Sequence, residues 1–440
     1  MTRAAREPET AEIVDTTVDG RGVARPPGKT VFVDGALRGE TVRFVRRRKK
    51  RNFDEAELVE ILRASQQRVE PRCAVFGTCG GCALQHLAAT GQLLLKQRLL
   101  LDNLERIGAV EPRRLLDPIS GSSWGYRRKA RLAVKHVVKK DRVLVGFRER
   151  NMPYVADMSR CETLHPLLGE RLADLAALID GLSVRDRIPQ VEAAVGDNGV
   201  AMVFRVLAAP DGTDLAAMAD FGRRHDIGIY LQSKGPDSVV PLPGGPTPVE
   251  LRYEIPGFGI SIEFAPTDFV QVHAGINGKM IERATELLAP TDSTRVLDLF
   301  CGLGNFSLPL ATRAREVIGM ELDRDMVNRA RRNAARNGLN NVEFRQVDLS
   351  GLAGAGSIDW RGFDLVMLDP PRPGAMEVRD VLGRVAADRI MYVSCHAGTL
   401  ARDARHLVHE LGYELVAAGI LDMFPQTGHV ESMALFCRTG

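Results

Sequence analysis

Arg295-Val-Leu-Asp-Leu-Phe-Cys-Gly302-Leu-Gly304-Asn-Phe-Ser307 decides the fold of this chain. A short apolar run passes through a glycine-rich turn into a helix candidate. The glycines let the backbone turn tightly and approach a ligand at the carboxyl end of a strand. The spacing falls short of the full dinucleotide fingerprint, and Asn305-Phe306 after Gly304 argues against a pyrophosphate cradle. Nineteen residues beyond Gly302, Glu321 ends the next run, Glu316-Val-Ile-Gly-Met-Glu321. An acid there can accept both ribose hydroxyls of a nucleoside, so turn and acid together point to adenosine. The plainer alternative is a tight turn of any α/β sheet beside a surface acid.

Working outward, a helix candidate spans about Asn277 to Leu288, and further apolar runs lie at Asn341–Val347, Asp364–Asp369 and Arg389–Ser394. Short β-runs alternating with helical stretches from about residue 263 predict a parallel, doubly wound sheet. Leu368-Asp-Pro-Pro-Arg372 follows the fourth run, and its prolines stiffen a loop that presents Asp369 and Arg372 to the crevice. Cys395 ends the fifth run at the same edge. A lone cysteine in such a place is often a small buried hydrophobe, a role for which Cys301 and Cys437 are better candidates.

The other end of the chain reads differently. Between residues 11 and 67, short apolar runs alternate with glycine turns, which predicts a small β-barrel rather than βαβ units. Residues 85–107 read as a helix ended by Gly108. From about 125 to 262 the pattern is mostly β with a helix near Leu164–Gly181. The stretch Lys234–Pro248 holds five prolines and three glycines and is expected to be irregular. The expected organisation is therefore multidomain α/β: a barrel over 1–67, a mostly β central domain over 68–262 and a nucleotide-binding domain over 263–440. The helix at 85–107 is a candidate to pack on the last of these.

At 440 residues the chain exceeds one hydrophobic core, and its 45% hydrophobic and 26% charged content is ordinary for a globular protein. Net charge is only +3, but the basic residues cluster. Arg46-Arg-Arg-Lys-Lys-Arg51 is wholly basic, and ten Lys or Arg face two acids between Arg127 and Arg150. Such patches suit a polyanion, with Arg46, Arg47, Arg48, Lys49, Lys50, Arg127, Arg128, Lys129 and Arg131 as RNA-contact candidates. Seven cysteines are no disulfide scaffold, and the first residues lack the apolar core of a signal peptide. No stretch approaches the roughly 18 apolar residues of a membrane span, so a reducing cytosol is expected. Cys73-x5-Cys79-x2-Cys82 with a distant Cys161 has metal-ligand spacing, and ligand counting leaves zinc and [4Fe–4S] both open.

Taken in order, these motifs closely resemble the bacterial RNA uracil-C5-methyltransferases that use S-adenosylmethionine. The branch they resemble is the ribosomal-RNA one, with an N-terminal TRAM barrel and a [4Fe–4S] cluster. The resemblance covers essentially the whole chain. It rests on Gly20–Arg25 with Lys29–Ala36, the cysteine set, Phe269-Val-Gln271, Asp298–Ser307, Leu368–Arg372, Val393-Ser-Cys395 and His429-Val-Glu431. It implies Cys395 as nucleophile and Glu431 as the proton-abstracting base. Gln271, Phe300, Gly302, Gly304, Asn305, Glu321 and Asp348 would hold the cofactor, with Asp369 on the target base or the cofactor amine. Cys73, Cys79, Cys82 and Cys161 would hold the cluster, in a structural role. It implies 23S ribosomal RNA as partner, no membrane and a monomer without an obligate protein partner. Two departures are visible: His396-Ala397 stands where the family has Asn-Pro, and Gln426–His429 is less histidine-rich.

The chemistry fits the residue types. C5 of uracil is a weak nucleophile until a thiolate adds at C6, and a carboxylate must then remove the C5 proton. Such a thiol wants a lowered pKa, for which His396 and Arg372 are the candidate causes. Two other readings are a transfer-RNA enzyme of the same chemistry and an RNA-binding protein whose methyltransferase half is silent. Intact Cys395 and Glu431 argue against the silent form.

Overall fold

A computed structural model describes residues 7–248, 250–349 and 359–439. The chain forms two compact units, and both are discontinuous. The first takes Met1–Leu99, Phe147–Ala156 and Phe424–His429; the second takes Leu100–Gly146, Asp157–Met423 and Val430–Gly440.

In the first unit, β1 (Glu9–Thr16), β2 (Arg21–Ala24), β3 (Thr30–Asp34), β4 (Thr41–Lys49) and β5 (Phe53–Arg63) close a barrel in the order β1-β2-β3-β5-β4. Closure follows from period-two alternation, which sends Ile13, Ala24, Val31, Val33, Val42, Phe44 and Ala56 into one core. The barrel is tied to the chain that follows it by a buried ion pair. Arg68 donates to both carboxylate oxygens of Glu40, from Nε at 2.6 Å and from Nη2 at 2.8 Å. The helix expected from residue 85 begins at Ala89, because Gln85 and His86 belong to the cysteine loop. This helix, α1 (Ala89–Asn103), passes into a π-turn over Leu104–Gly108. Its buried Gln92 receives the Gln426 amide hydrogen on Oε1 at 3.0 Å and donates to Gln426 Oε1 at 2.9 Å. Lys96 Nζ reaches the Phe424 carbonyl at 2.9 Å, and the Gln426 carbonyl accepts from Ala83 and Leu84. The six residues Phe424–His429 are thus built into this unit.

The second unit carries two large sheets. Its strands and helices run β6 (Arg114–Leu115), β7 (Lys129–Val137), β8 (Arg142–Gly146), α2 (Pro166–Gly169), α3 (Leu172–Asp180), β9 (Gln190–Val195), β10 (Val200–Arg205), α4 (Gly212–His225), β11 (Ile227–Gln232) and β12 (Val239–Pro241). The short pair β13 (Leu251–Ile255) and β14 (Ile260–Phe264) follows. Then come α5 (Ala274–Leu288), β15 (Arg295–Leu299), α6 (Ser307–Ala311), β16 (Glu316–Glu321), α7 (Arg324–Arg336), β17 (Val342–Gln346), β18 (Leu365–Leu368), α8 (Arg379–Val385), β19 (Arg389–Ser394), α9 (Ala397–His409), β20 (Tyr413–Leu421) and β21 (Glu431–Arg438).

The first sheet has the order β12-β11-β10-β9-β7-β8. It is antiparallel except at β10 and β11, which α4 connects as a crossover. The expectation of irregular chain over 234–248 fails at Val239–Pro241, which pairs with β11 at the sheet edge, where a proline costs no ladder bond. The second sheet has the order β17-β16-β15-β18-β19-β21-β20-β6. Its first five strands are parallel, as the sequence predicts, and β21 and β20 continue it antiparallel. Strand order reverses between β15 and β18, whose last residues Leu299 and Leu368 are paired. Such a switch point opens a crevice at the carboxyl edge, where sheets of this kind bind ligands.

Candidate active site

The chain leaves β15 through Phe300 at φ +66°, a conformation costly for a bulky side chain and one that marks functional loops. Gly302 and Gly304 continue the turn at φ +55° and +90°. A Cβ at Gly304 would lie 3.0 Å from both Leu308 and Phe344, so any other residue there would be strained in backbone and force those side chains to shift. The Gly302 amide donates to Glu321 Oε2 at 3.1 Å, and Leu322 and Asp323 donate to Oε1 at 2.8 and 3.0 Å. Glu321 is thereby fixed at the loop mouth, with a lone pair left on Oε2 for a further donor. Asp348 lies exposed just beyond β17, beside Val347, whose amide donates to the Glu321 carbonyl.

The Asn305 side chain is committed to protein. Its Oδ1 accepts from Tyr253 Oη at 3.0 Å and Asn277 Nδ2 at 2.9 Å, and its own amide donates to Asn277 Oδ1. Gln271 joins Tyr253 and Asn277 in lining a small cavity, so the structure brings Gln271 and Asn305 into one neighbourhood. Asp298 escaped the sequence reading. It is buried, accepts from Ser307 Oγ at 2.5 Å, leaves Oδ1 without a partner and is pushed up to about 7, chiefly by burial. A lone carboxylate inside the apolar run Val296-Leu-Asp-Leu299 was the signal available for it.

Three reactive groups converge one strand further along. The antiparallel register pairs Ser394 with Ser432, so the next residues on each side, Cys395 and Glu431, come opposite one another. Ser432 Oγ donates to the Ser394 carbonyl at 3.3 Å across that pair. Asp369 leaves β18, the parallel neighbour of β19, at the same edge. Burial pushes Asp369 up to about 7 and drives Glu431, with Asp369 as the second cause, well above the usual carboxylate range. The Cys395 thiol is pushed up to about 11, by burial first and then by Glu431 and Asp369. The lowered thiol expected from the sequence is therefore not found, because burial and then two nearby acids outweigh Arg372, which offsets them only in small part. His396 has a different job: as the N-cap of α9, its Nδ1 accepts the Thr399 amide at 3.1 Å, which is capping chemistry an asparagine also performs. Cys301 is buried, as expected of a packing cysteine, whereas Cys437 is only partly so.

The basic candidates divide. Arg46 is half-buried on the barrel, paired with Glu9 and Asp54 at 2.8 and 2.7 Å, contacts that tie it to the fold. Arg47 pairs with Glu57 but stays exposed, as do Arg48, Lys49 and Lys50. In the second unit Lys129 donates to the Pro266 carbonyl and is pushed down to about 8 by burial. Arg127 Nε bonds the Lys129 carbonyl, and Arg128 and Arg131 pair with Asp197 and Glu192. Cys73, Cys79 and Cys82 lie in the first unit and Cys161 in the second. Among the described residues, no group of three or more His, Cys, Asp or Glu side chains is arranged to hold a metal ion. No helix among them is long and apolar enough to cross a membrane.

Comparison with known proteins extends the picture. The family described as tRNA (Uracil-5-)-methyltransferase matches residues 249–439. The 23S rRNA (uracil(1939)-C(5))-methyltransferase RlmD of Alkalilimnicola ehrlichii is 50% identical over 436 residues, spanning 99% of this chain and 98% of that one. The protein of the same name from Stenotrophomonas maltophilia is 51% identical over 439 residues, with the same coverage. Among solved structures, the Pyrococcus abyssi tRNA (uracil-54, C5)-methyltransferase in complex with S-adenosyl-L-homocysteine superposes with a TM-score of 0.74. It is 24% identical and covers 97% of this chain and 100% of that one, which establishes a shared fold.

Proposed function

The chain belongs to the 23S rRNA (uracil-C5)-methyltransferase family, and from that membership we propose that it methylates C5 of a uridine in 23S ribosomal RNA. The observation that carries the chemistry is the strand register that sets Cys395 opposite Glu431, with Asp369 on the neighbouring strand. S-adenosylmethionine, when bound, supplies an electrophilic methyl group. Gln271, Glu321 and Asp348, with the turn Phe300–Asn305, are the residues proposed to hold it. Cys395 adds as thiolate to C6 of the uracil, and the electron pair of the broken double bond makes C5 nucleophilic. After C5 is methylated, Glu431 takes the C5 proton, and the carbon–sulfur bond breaks to return the Cys395 thiolate. Asp369 orients the base from the neighbouring strand. The exposed cations at the end of β4 hold the RNA backbone, in the manner proposed for a TRAM barrel.

The four cysteines complete the proposal as the ligands of a [4Fe–4S] cluster. Their chemistry fits: three thiols fall within one ten-residue loop, the Gly81 amide points at Cys79 Sγ at 3.4 Å, and Gln85 Oε1 holds the Cys73 amide at 3.0 Å. No step of the methyl transfer needs electrons from it, so its contribution is to the fold.

The deciding experiment incubates the protein with methyl-labelled S-adenosylmethionine and, separately, unmodified 23S ribosomal RNA and transfer RNA. We expect 5-methyluridine in the ribosomal RNA only, and none from Cys395→Ala. Product in transfer RNA alone would move the substrate. No product from folded, cofactor-binding protein would sink the activity.

A further inference from the structure

Three prolines in Asp369-Pro-Pro-Arg-Pro-Gly-Ala375 carry no N–H, so the loop that presents Asp369 has few amides with which to anchor itself. The Gly374 amide turns back to the Pro371 carbonyl at 2.8 Å, and further anchoring comes from one helix. From α9, Thr399 Oγ1 reaches the Arg372 carbonyl at 3.3 Å, and Arg402 Nη2 reaches the Pro373 carbonyl at 2.8 Å. Asp403 Oδ2 accepts the Ala375 amide at 2.7 Å. Residues 399, 402 and 403 share one helical face, so a single stripe of α9 grips three stations of the loop.

Asp403 is the centre of this grip. It is buried, its Oδ2 also accepts from Tyr392 Oη at 2.7 Å, and its Oδ1 accepts from Arg402 Nε at 2.8 Å. Tyr392 is itself buried in β19, three residues before Cys395. Gly374, at φ +91°, lets the loop come this close, since a Cβ there would lie 2.5 Å from Asp403 Oδ2. The helix holding the loop is also the helix that starts two residues after Cys395.

Resting on the function proposed above, we propose that Asp403, with Arg402 and Thr399, is the positioning device that fixes Asp369 relative to Cys395. None of these three residues needs to touch the uracil. They act by making the Asp369 loop and the Cys395 turn parts of one rigid piece, so that base orientation and nucleophile are set together. A misplacement of about 1 Å at such a site can cost on the order of 100-fold in rate without changing affinity.

The test is single-turnover formation of the covalent complex with 5-fluorouridine RNA, in parallel with cofactor affinity, RNA affinity and the melting temperature. Asp403→Asn and Arg402→Ala should slow adduct formation, the former about 100-fold, while both affinities stay within about twofold of wild type. Gly374→Ala leaves the three gripping side chains in place but drives a Cβ into Asp403, and it should show the same rate defect. Should Asp403→Asn fail to fold, Arg402→Ala and Gly374→Ala carry the decision. Folded variants that form adduct at the wild-type rate overturn the positioning role, however much their melting temperatures fall. A wild type that forms no adduct defeats the underlying function instead, so the two failures are distinguishable.

Discussion

Burial first, and then the neighbouring acids Glu431 and Asp369, hold the proton on Cys395, an arrangement that costs reactivity until something positive enters. A sulfonium is such a charge, and it would favour all three ionised forms at once. The apparent pKa of Cys395, read from the pH dependence of its alkylation, should therefore fall in the presence of S-adenosylmethionine and much less with the uncharged thioether product. Equal values with both ligands would refute the electrostatic account. For Glu431 the expected variant is Glu431→Gln, which keeps the shape and removes the base. It should form the C6 adduct and accept methyl, yet release product slowly, so protein–RNA adduct accumulates on denaturing gels. Normal turnover would place the base elsewhere. Asp369 carries a stability cost whose sign is fixed by its raised pKa. Below about pH 4 both folded and unfolded forms are protonated and the cost is absent. Between there and about pH 7 the unfolded chain ionises while the folded one does not, and above about 7 the full cost remains. Asp369→Asn should thus stabilise the ligand-free protein at pH 8, by on the order of 2 kcal/mol or several degrees in Tm, while impairing catalysis. A gain that persists at pH 3.5 would point to some cause other than ionisation.

At the scale of the element, β4 shows what a charge run conceals. Val42 and Phe44 point into the barrel core and Arg46, two residues on, is half-buried in its pairs with Glu9 and Asp54, while Arg47 and its successors run on into solvent. Neutralising Arg47, Arg48, Lys49 and Lys50 together should weaken RNA binding and flatten its logarithmic salt dependence by roughly 0.7 for each phosphate no longer neutralised. Cofactor affinity should hold, and Arg46→Gln alone should lower the melting temperature of the barrel instead. Identical salt slopes for wild type and the fourfold variant would make the run a solubilising tail. Neither the ion pair of Arg46 nor the cover on Lys129 was legible from the sequence, because their partners, Glu9 and Pro266, lie far along the chain from them. The five parallel strands and the barrel were readable from short runs between turns. Helix α4 was not, although Asp211 and Asp214 form a capping box at its start. The β20–β21 pair was also missed, since buried strands of this kind lack alternation. The same gap hid the site geometry: Cys395 and Glu431 were nameable one at a time, but only the β19–β21 register makes them a pair.

For the whole molecule, the cysteine proposal predicts a brown protein after anaerobic purification, with about four irons and four sulfides per chain. Stoichiometric zinc without iron would overturn it. Cys79→Ser should lose metal and stability together, since ligand binding is coupled to folding. The make-up of the first unit bears on how the molecule comes to be. Its barrel, cysteine loop and the start of α1 come from the first 99 residues, but Gln426, which closes the buried amide pair with Gln92 and caps Ala83 and Leu84, comes from near the end. A buried amide without its partner is costly, so these groups have no finished environment while the chain is still emerging. Vectorial synthesis therefore delivers the partner of Gln92 334 residues after it, and a chain cut short before Gln426 leaves the first unit without its keystone.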